Sequence, residues 1–444
     1  MKFIKLLLLL FSVQFFSQSG FQLIENKKTV IPFKLINNLI FIPVQVNGVE
    51  LTFMIDSGVS ETLLFSLENK EVNFADVEKM KFTGLGGDIE IEGLKAINNQ
   101  VQIGKNYIDK QHQIFIILNE EFNFSSHVGI PVNGIIGYHF FKNHQVKIDY
   151  INKKITIFES EKKFEKESSK YDLEPISVEL NKPYITATVE QISNPVSSKM
   201  LIDLGNSDAI WLFPSVIPGF SYNRPNIDDY LGRGFNGDVY GKRSRIHNLF
   251  LGKYQIEKPL VAMPDEYSIQ HLKLVKDRKG SIGSETLRRF NLIFDYPNGK
   301  LYFKKNKNFN DPFHFNMSGL DIKHDGMIWT SALVEVENKK NSPTKSENIE
   351  VYSTQNKFQY KFVLKPVYSV AGSRPDSPAY IAGIRKDDKL ISINKKRTTD
   401  MSLEEINELF KSEEGKHISL EVSRNGTLLT YNFELEDPIP YQDQ

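Results

Sequence analysis

The chain has 444 residues, 40% hydrophobic and 12% aromatic, enough apolar material for two or three buried cores. Its 55 basic and 55 acidic residues balance, which removes the electrostatic case for nucleic acid or an anionic membrane as partner. Cysteine is absent, so disulfides, a thiol nucleophile, thiolate metal sites and a lipid-modified N-terminal Cys are excluded, and stability rests on packing.

The chain opens with Lys2 and Lys5, an apolar run from Leu6 to Phe11 continuing through Val13 and Phe16, and the small residues Ser17 and Ser19. This pattern predicts a secretory signal over 1–19, too short to span a membrane as a mature helix, and hence an exported protein, periplasmic or secreted. Loss of Lys2 and Lys5 leaves 53 basic against 55 acidic residues, a mature net charge of about −2. No later apolar run is long enough for a transmembrane helix.

Residues 28–58 alternate and turn at Asn47-Gly48, a type I′ hairpin signal, then run through Phe53-Met54-Ile55 into Asp56-Ser57-Gly58-Val59-Ser60. A Gly-rich segment (Gly84, Gly86, Gly87), Ile135-Ile136-Gly137, Asp149-Tyr150 and a short apolar strand, Ile155 to Phe158, follow. The charged stretch 159–173 has few apolar anchors and reads as a solvated linker. Then the series repeats. Met200-Leu201-Ile202 leads into Asp203-Leu204-Gly205-Asn206-Ser207, followed by Gly232, Gly234 and Gly237, Ile282-Gly283, Asp295-Tyr296 and Leu301-Tyr302-Phe303.

The spacing makes this a duplication. Asp56 lies 81 residues before Gly137 and Asp203 lies 80 before Gly283. Each glycine then precedes its Asp-Tyr by twelve residues, and Asn152 and Lys154 match Asn298 and Lys300. An internal repeat of this length implies two homologous β-rich lobes, 20–158 and 174–305. The nine histidines form no H-E-x-x-H, and His139 and His144 read as surface or partly buried residues of a short helix. No metal or other cofactor is expected.

An Asp-x-Gly after an apolar strand, a Gly-rich hairpin and an Ile-Gly followed by a short helix resemble the retropepsin/pepsin-like aspartic proteases, with both lobes fused in one chain. The resemblance covers about two-thirds of the chain. It implies Asp56 and Asp203 as a catalytic dyad, with Ser57, Gly58, Gly205, Asn206, Gly137 and Gly283 supporting the active-site loops. It also implies flaps at 82–93 (Gly84, Gly86, Gly87) and 231–246 (Gly232, Gly234, Gly237). Two carboxylates a few Å apart cannot both ionise, so the pair holds one proton: the charged member activates a water and the protonated one polarises the scissile carbonyl.

The family usually has Thr or Ser after each Asp, whose hydroxyl clamps the opposite loop; Ser57 can do this and Leu204 cannot. Three residues past each Asp, Val59 stands against Asn206, so the Asn206 amide is expected to hold Asp203 as the charged member.

The last third, about 314–438, resembles a bacterial-type PDZ domain through Ser377-Pro378-Ala379, Ala382-Gly383-Ile384, the run Asp388 to Asn394, a helix from Ser402 to Lys411 and a hairpin at Asn425-Gly426. A polar insert occupies 336–358, and Asp387-Asp388 replaces the usual Gly-Asp. The resemblance implies a peptide-binding loop and strand at Ser318, Gly319, Leu320 and Ile322. The expected fold is mainly β: bilobal acid-protease-like β-barrels, then a PDZ-like β-barrel with helices.

Three functions compete. The first is an exported aspartic endopeptidase, monomeric, acting on peptide or protein substrates, with a PDZ domain that binds C-terminal peptide tails. The second is an inactive peptide-binding scaffold of the same fold, which Leu204 favours. A glycosidase is disfavoured, since its carboxylates stand about 5 Å or more apart and do not call for paired Asp-x-Gly turns.

Overall fold

The computed structural model describes residues 20–24, 28–83, 90–191, 195–217, 220, 224–234, 237–269, 274–335 and 358–441. The expected signal segment and almost all of the 336–358 insert lie outside the described residues.

In lobe 1 the strands Leu39–Val46 and Val49–Ile55 pair antiparallel. Asn47 and Gly48 turn between them with φ of 49° and 87°, the double left-handed geometry of a type I′ turn. The apolar end of the second strand is sandwiched. Gly134–Ile136 runs parallel to it, with Ile136 opposite Ile55, and Thr62–Leu64 pairs antiparallel with Gly134–Ile136 on the far side. Lobe 2 repeats this with Lys182–Glu190, Pro195–Asp203, Arg278–Gly283 and Ile210–Leu212, placing Ile202 opposite Ile282 and Asp203 opposite Gly283.

The matched tails of the two repeats join the lobes. Strands Thr29–Pro32, Lys154–Ile157, Val146–Asp149, Phe290–Asp295, Lys300–Lys305 and Asp172–Glu179 follow one another antiparallel in that order, and the last continues into the lobe 2 sheet by pairing with Lys182–Glu190. At the centre of this run Val146 faces Phe294 and Ile148 faces Leu292, one tail from each copy. Pairing tail to tail removes the open edge that each copy would present alone. One continuous hydrophobic core then runs through both lobes.

The charged stretch expected as a solvated linker is instead partly helical. Glu161–Ser168 folds as a helix whose Phe164 is buried against Phe158 and Tyr302, with ring centroids 5.8 and 5.6 Å away. One aromatic on an otherwise charged face was enough to dock it.

The C-terminal domain has its own core, built from the hairpin Leu320–Glu335 and Phe358–Ser373, strands Lys389–Ile393, His417–Arg424 and Thr427–Glu434, and helices Pro378–Ala382 and Leu403–Phe410. Ser402 and Glu405 close a capping box on the second helix. Asp387 takes the left-handed conformation that Gly usually supplies, at φ 69°, while buried Asp388 is gripped by Arg424 through two 2.7 Å contacts.

This domain is tied to lobe 2 at both ends. Phe313, which enters it, and Ile439, which leaves it, are both buried in the core shared by the lobes. Arg245 of lobe 2 donates to the carbonyls of Phe313 (3.0 Å) and Ile439 (2.9 Å) and pairs with Asp437 (3.1 Å). Arg289 lies 3.6 Å from the Phe313 ring centroid and donates to the Phe309 and Asp311 carbonyls.

Candidate active site

Each Asp ends a buried strand and opens a turn whose shape is fixed from beneath. Asp56 N–H donates to Ile136 O at 3.0 Å, and the Val59 and Asn206 carbonyls accept from Tyr138 N–H (3.0 Å) and Ser284 N–H (2.7 Å). A Cβ on Gly137 would stand 1.9 Å from Val59 O and one on Gly283 2.2 Å from Asp208 O, so only glycine lets the lower strand pass so close.

The two turns meet across the lobe interface with approximate two-fold symmetry. A Cβ on Gly58 would come within 2.8 Å of Asp203 Oδ1, and one on Gly205 within 2.2 Å of Asp56 Cγ. Each turn glycine therefore backs the opposite carboxylate. The surrounding contacts are also reciprocal: Ser60 Oγ donates to Leu180 O, and Asn38 Nδ2 to Ser207 O, both at 3.0 Å.

Electrostatically the pair is asymmetric. Burial, then the charge on Asp203, pushes Asp56 up to about 7, opposed by the Gly58 N–H at 2.7 Å and by Lys182. Burial also raises Asp203, but Arg278, Lys182 and the N–H groups of Gly205 and Asn206 pull it down. Both carboxyls are thus pushed up by burial, more groups pull Asp203 back down than Asp56, and the dyad titrates as a unit. The expected part played by Asn206 is corrected in one respect: its backbone N–H serves Asp203, while its side chain reaches Ser281 Oγ (3.4 Å) and accepts from Asp208 N–H (3.0 Å).

The clamp after the Asp residues is one-sided. Buried Ser57 donates to Ile202 O at 2.7 Å and accepts from Leu204 N–H at 3.0 Å, reaching across to the other loop. Leu204 reaches into the common core instead, fully buried, and its carbonyl accepts from Ser284 Oγ at 2.9 Å within its own lobe.

Gly232, Gly234 and Gly237 lie in the hairpin Ile227–Gly234 and Gly237–Arg245, with Gly232 at φ 136°. Arg243 ties this hairpin to the second Asp loop, contacting Asp229 at 2.6 Å and Asp208 at 2.8 Å. In lobe 1 the hairpin Asp76–Thr83 and Glu90–Ile103 is the corresponding element, and Gly84, Gly86 and Gly87 lie outside the described residues.

The sequence reading missed Lys182, Tyr184 and Arg278, all close enough to act on Asp203 electrostatically. Aligning the two repeats strand by strand would have found them, since their counterparts in lobe 1 are apolar.

In the C-terminal domain, the amides expected to receive a peptide carboxylate are turned inward. Ser318 and Gly319 N–H both donate to Asn316 Oδ1, at 3.0 and 3.2 Å, and Leu320 N–H donates to Ser318 Oγ at 3.1 Å. Leu320 and Ile322 are buried in the domain core rather than presented as a pocket. The short lobe 1 helix Ser125–Val128 lies against this strand, with His127 4.0 Å from Asp321, and a Cβ on the following Gly129 would come within 3.0 Å of Leu403.

Comparison with known proteins places two domains in this chain: residues 42–140 match the aspartyl protease family and residues 369–424 the PDZ domain family. No curated protein matches the sequence. Among solved structures, an aspartic proteinase from Irpex lacteus is similar at 12% identity and a TM-score of 0.42, over 64% of this chain and 99% of that one.

Proposed function

We propose that the protein is an exported aspartic endopeptidase in which Asp56 and Asp203 activate a water for attack on a peptide carbonyl. The observation that carries this reading is the pair of Asp-x-Gly loops, each glycine backing the other lobe's carboxylate. Asp203, charged, takes a proton from the water as it attacks; Asp56, protonated, donates to the carbonyl oxygen as negative charge develops there. Both steps need carboxylates held in opposite protonation states, which the uneven supply of amides and cations favours.

The flap hairpins close over an extended peptide and exclude water from the dyad. Export is supported by the Lys2, Lys5 and Leu6–Phe11 pattern. The PDZ domain reads peptide tails only once Asn316 gives up the Ser318 and Gly319 amides.

The one-sided clamp favours a second reading, an inactive scaffold that holds peptides in the same cleft. The test is hydrolysis of a denatured-protein peptide pool by mature protein and by Asp56→Asn and Asp203→Asn. Both substitutions are expected to abolish turnover with the circular dichroism spectrum unchanged. Retained turnover in either folded variant places the chemistry elsewhere, and no turnover by the unsubstituted protein selects the scaffold.

A further inference from the structure

The two lobes carry the same strands around the dyad but different chemistry. Register equates Phe41, opposite Met54, with Tyr184, opposite Leu201, because each partner lies two residues before its Asp. Leu39 is thereby equated with Lys182. Gly134 pairs with Phe53 and Gly280 with Met200, so Val132 is equated with Arg278. Three apolar positions of lobe 1 have become a lysine, a tyrosine and an arginine in lobe 2. The shared architecture therefore does not require these polar groups.

Continuing the antiparallel register two residues beyond the Tyr184 and Leu201 pair brings Lys182 level with Asp203 on the same face of the sheet. Arg278, opposite Lys199 on the neighbouring strand, is close enough to act electrostatically on both Lys182 and Asp203. Its guanidinium lies 5.2 Å from the Phe213 ring centroid and bonds the Gly280 carbonyl at 3.1 Å. Lys199, beside Tyr184, is already paired with Glu179 at 2.6 Å. The Lys182 ammonium makes no direct hydrogen bond or ion pair with any described residue, while its backbone pairs with Glu179 in the hairpin. Two cations therefore share one nearby negative charge, that of the dyad. A surplus positive charge in a half-buried site is costly until an anion completes it.

We infer that Lys182 and Arg278 form a carboxylate-binding subsite in the lobe 2 wall of the cleft, so that the peptide taken up carries an Asp or Glu side chain beside the dyad. This rests on the endopeptidase reading and assigns its substrate class.

The experiment uses the mature full chain and paired peptides differing only in Glu or Gln at successive positions around a cleaved bond. One position is expected to show about a tenfold or greater preference for Glu in kcat/KM, the yield of a charge-assisted hydrogen bond. In a Lys182→Met, Arg278→Met double variant the ratio is expected to fall to about one. Being internal to each variant, it is insensitive to the folded fraction. Equal rates in the unsubstituted protein at every position, or a preference that survives the double substitution, overturn the inference. Calorimetric binding of the same pairs to Asp56→Asn separates it from the hydrolytic reading. If nothing is cleaved, Glu over Gln in binding still supports the subsite, and equal binding overturns it.

Discussion

Replacing Leu204 with Thr restores the residue type usual after a catalytic Asp, and from sequence alone it should help, since a regained cross-loop hydrogen bond yields about 0.5–1.5 kcal/mol. The structure reverses the sign. Leu204 is fully buried in the core shared by both lobes, and its backbone is already held by Ser57 and Ser284. Truncating a buried leucine to alanine costs about 2–5 kcal/mol, of which threonine recovers part by refilling volume. A buried hydroxyl adds about 1–3 kcal/mol where it finds no partner. The net expectation is a loss of about 2–3 kcal/mol, measured as a lower urea midpoint with an unchanged m-value, together with reduced hydrolysis of a reference peptide. A midpoint equal to or above that of the unsubstituted protein would refute the reasoning, because it would mean that the side-chain pocket adapts and the clamp was missing after all.

Asp56→Asn should stabilise the fold at pH 8 while abolishing turnover. A carboxyl group raised from 3.8 to about 7 contributes stability that is fully present below pH 3.8 and lost as pH rises through 7, up to about 4 kcal/mol at roughly 1.4 kcal/mol for each tenfold in proton concentration. Asn keeps an acceptor for the Gly58 N–H and carries no charge toward Asp203. Thermal melts at pH 4 and pH 8 check this, and a gain confined to pH 4 contradicts it. Cutting the chain near Asn310 should destabilise the lobes, since Phe313 and Ile439 leave the core and Arg245 loses its partners at Phe313, Asp437 and Ile439. A truncated chain melting at the full-length temperature would show that the C-terminal domain is separable.

Local chemistry marked out much of this molecule. A strand running into Asp-x-Gly, the Asn47-Gly48 and Asn425-Gly426 hairpins and the Ser402 to Lys411 helix are settled by neighbouring residues, through conformational preference and caps, so they are legible in any stretch that contains them. The duplicated Asp56 and Asp203 turns were legible for the same reason, and the 81- and 80-residue spacings to Gly137 and Gly283 reappear as strands paired in parallel, side by side.

What the tertiary structure decided involves partners far apart in the chain. The tails after Gly137 and Gly283 read as closing strands of separate lobes, yet they pair with each other, because each leaves an unpaired edge that only the other copy matches. The residues after 305 read as a boundary, but Phe313 and Ile439, on either side of a whole domain, are both buried in the core of the lobes, with Arg245 bonding both carbonyls. The charge asymmetry of the dyad depends on Lys182 and Arg278, about a hundred residues apart, each unremarked in its own segment. A buried carboxylate responds to whatever charge is nearest in space, and that distance is set by strand register.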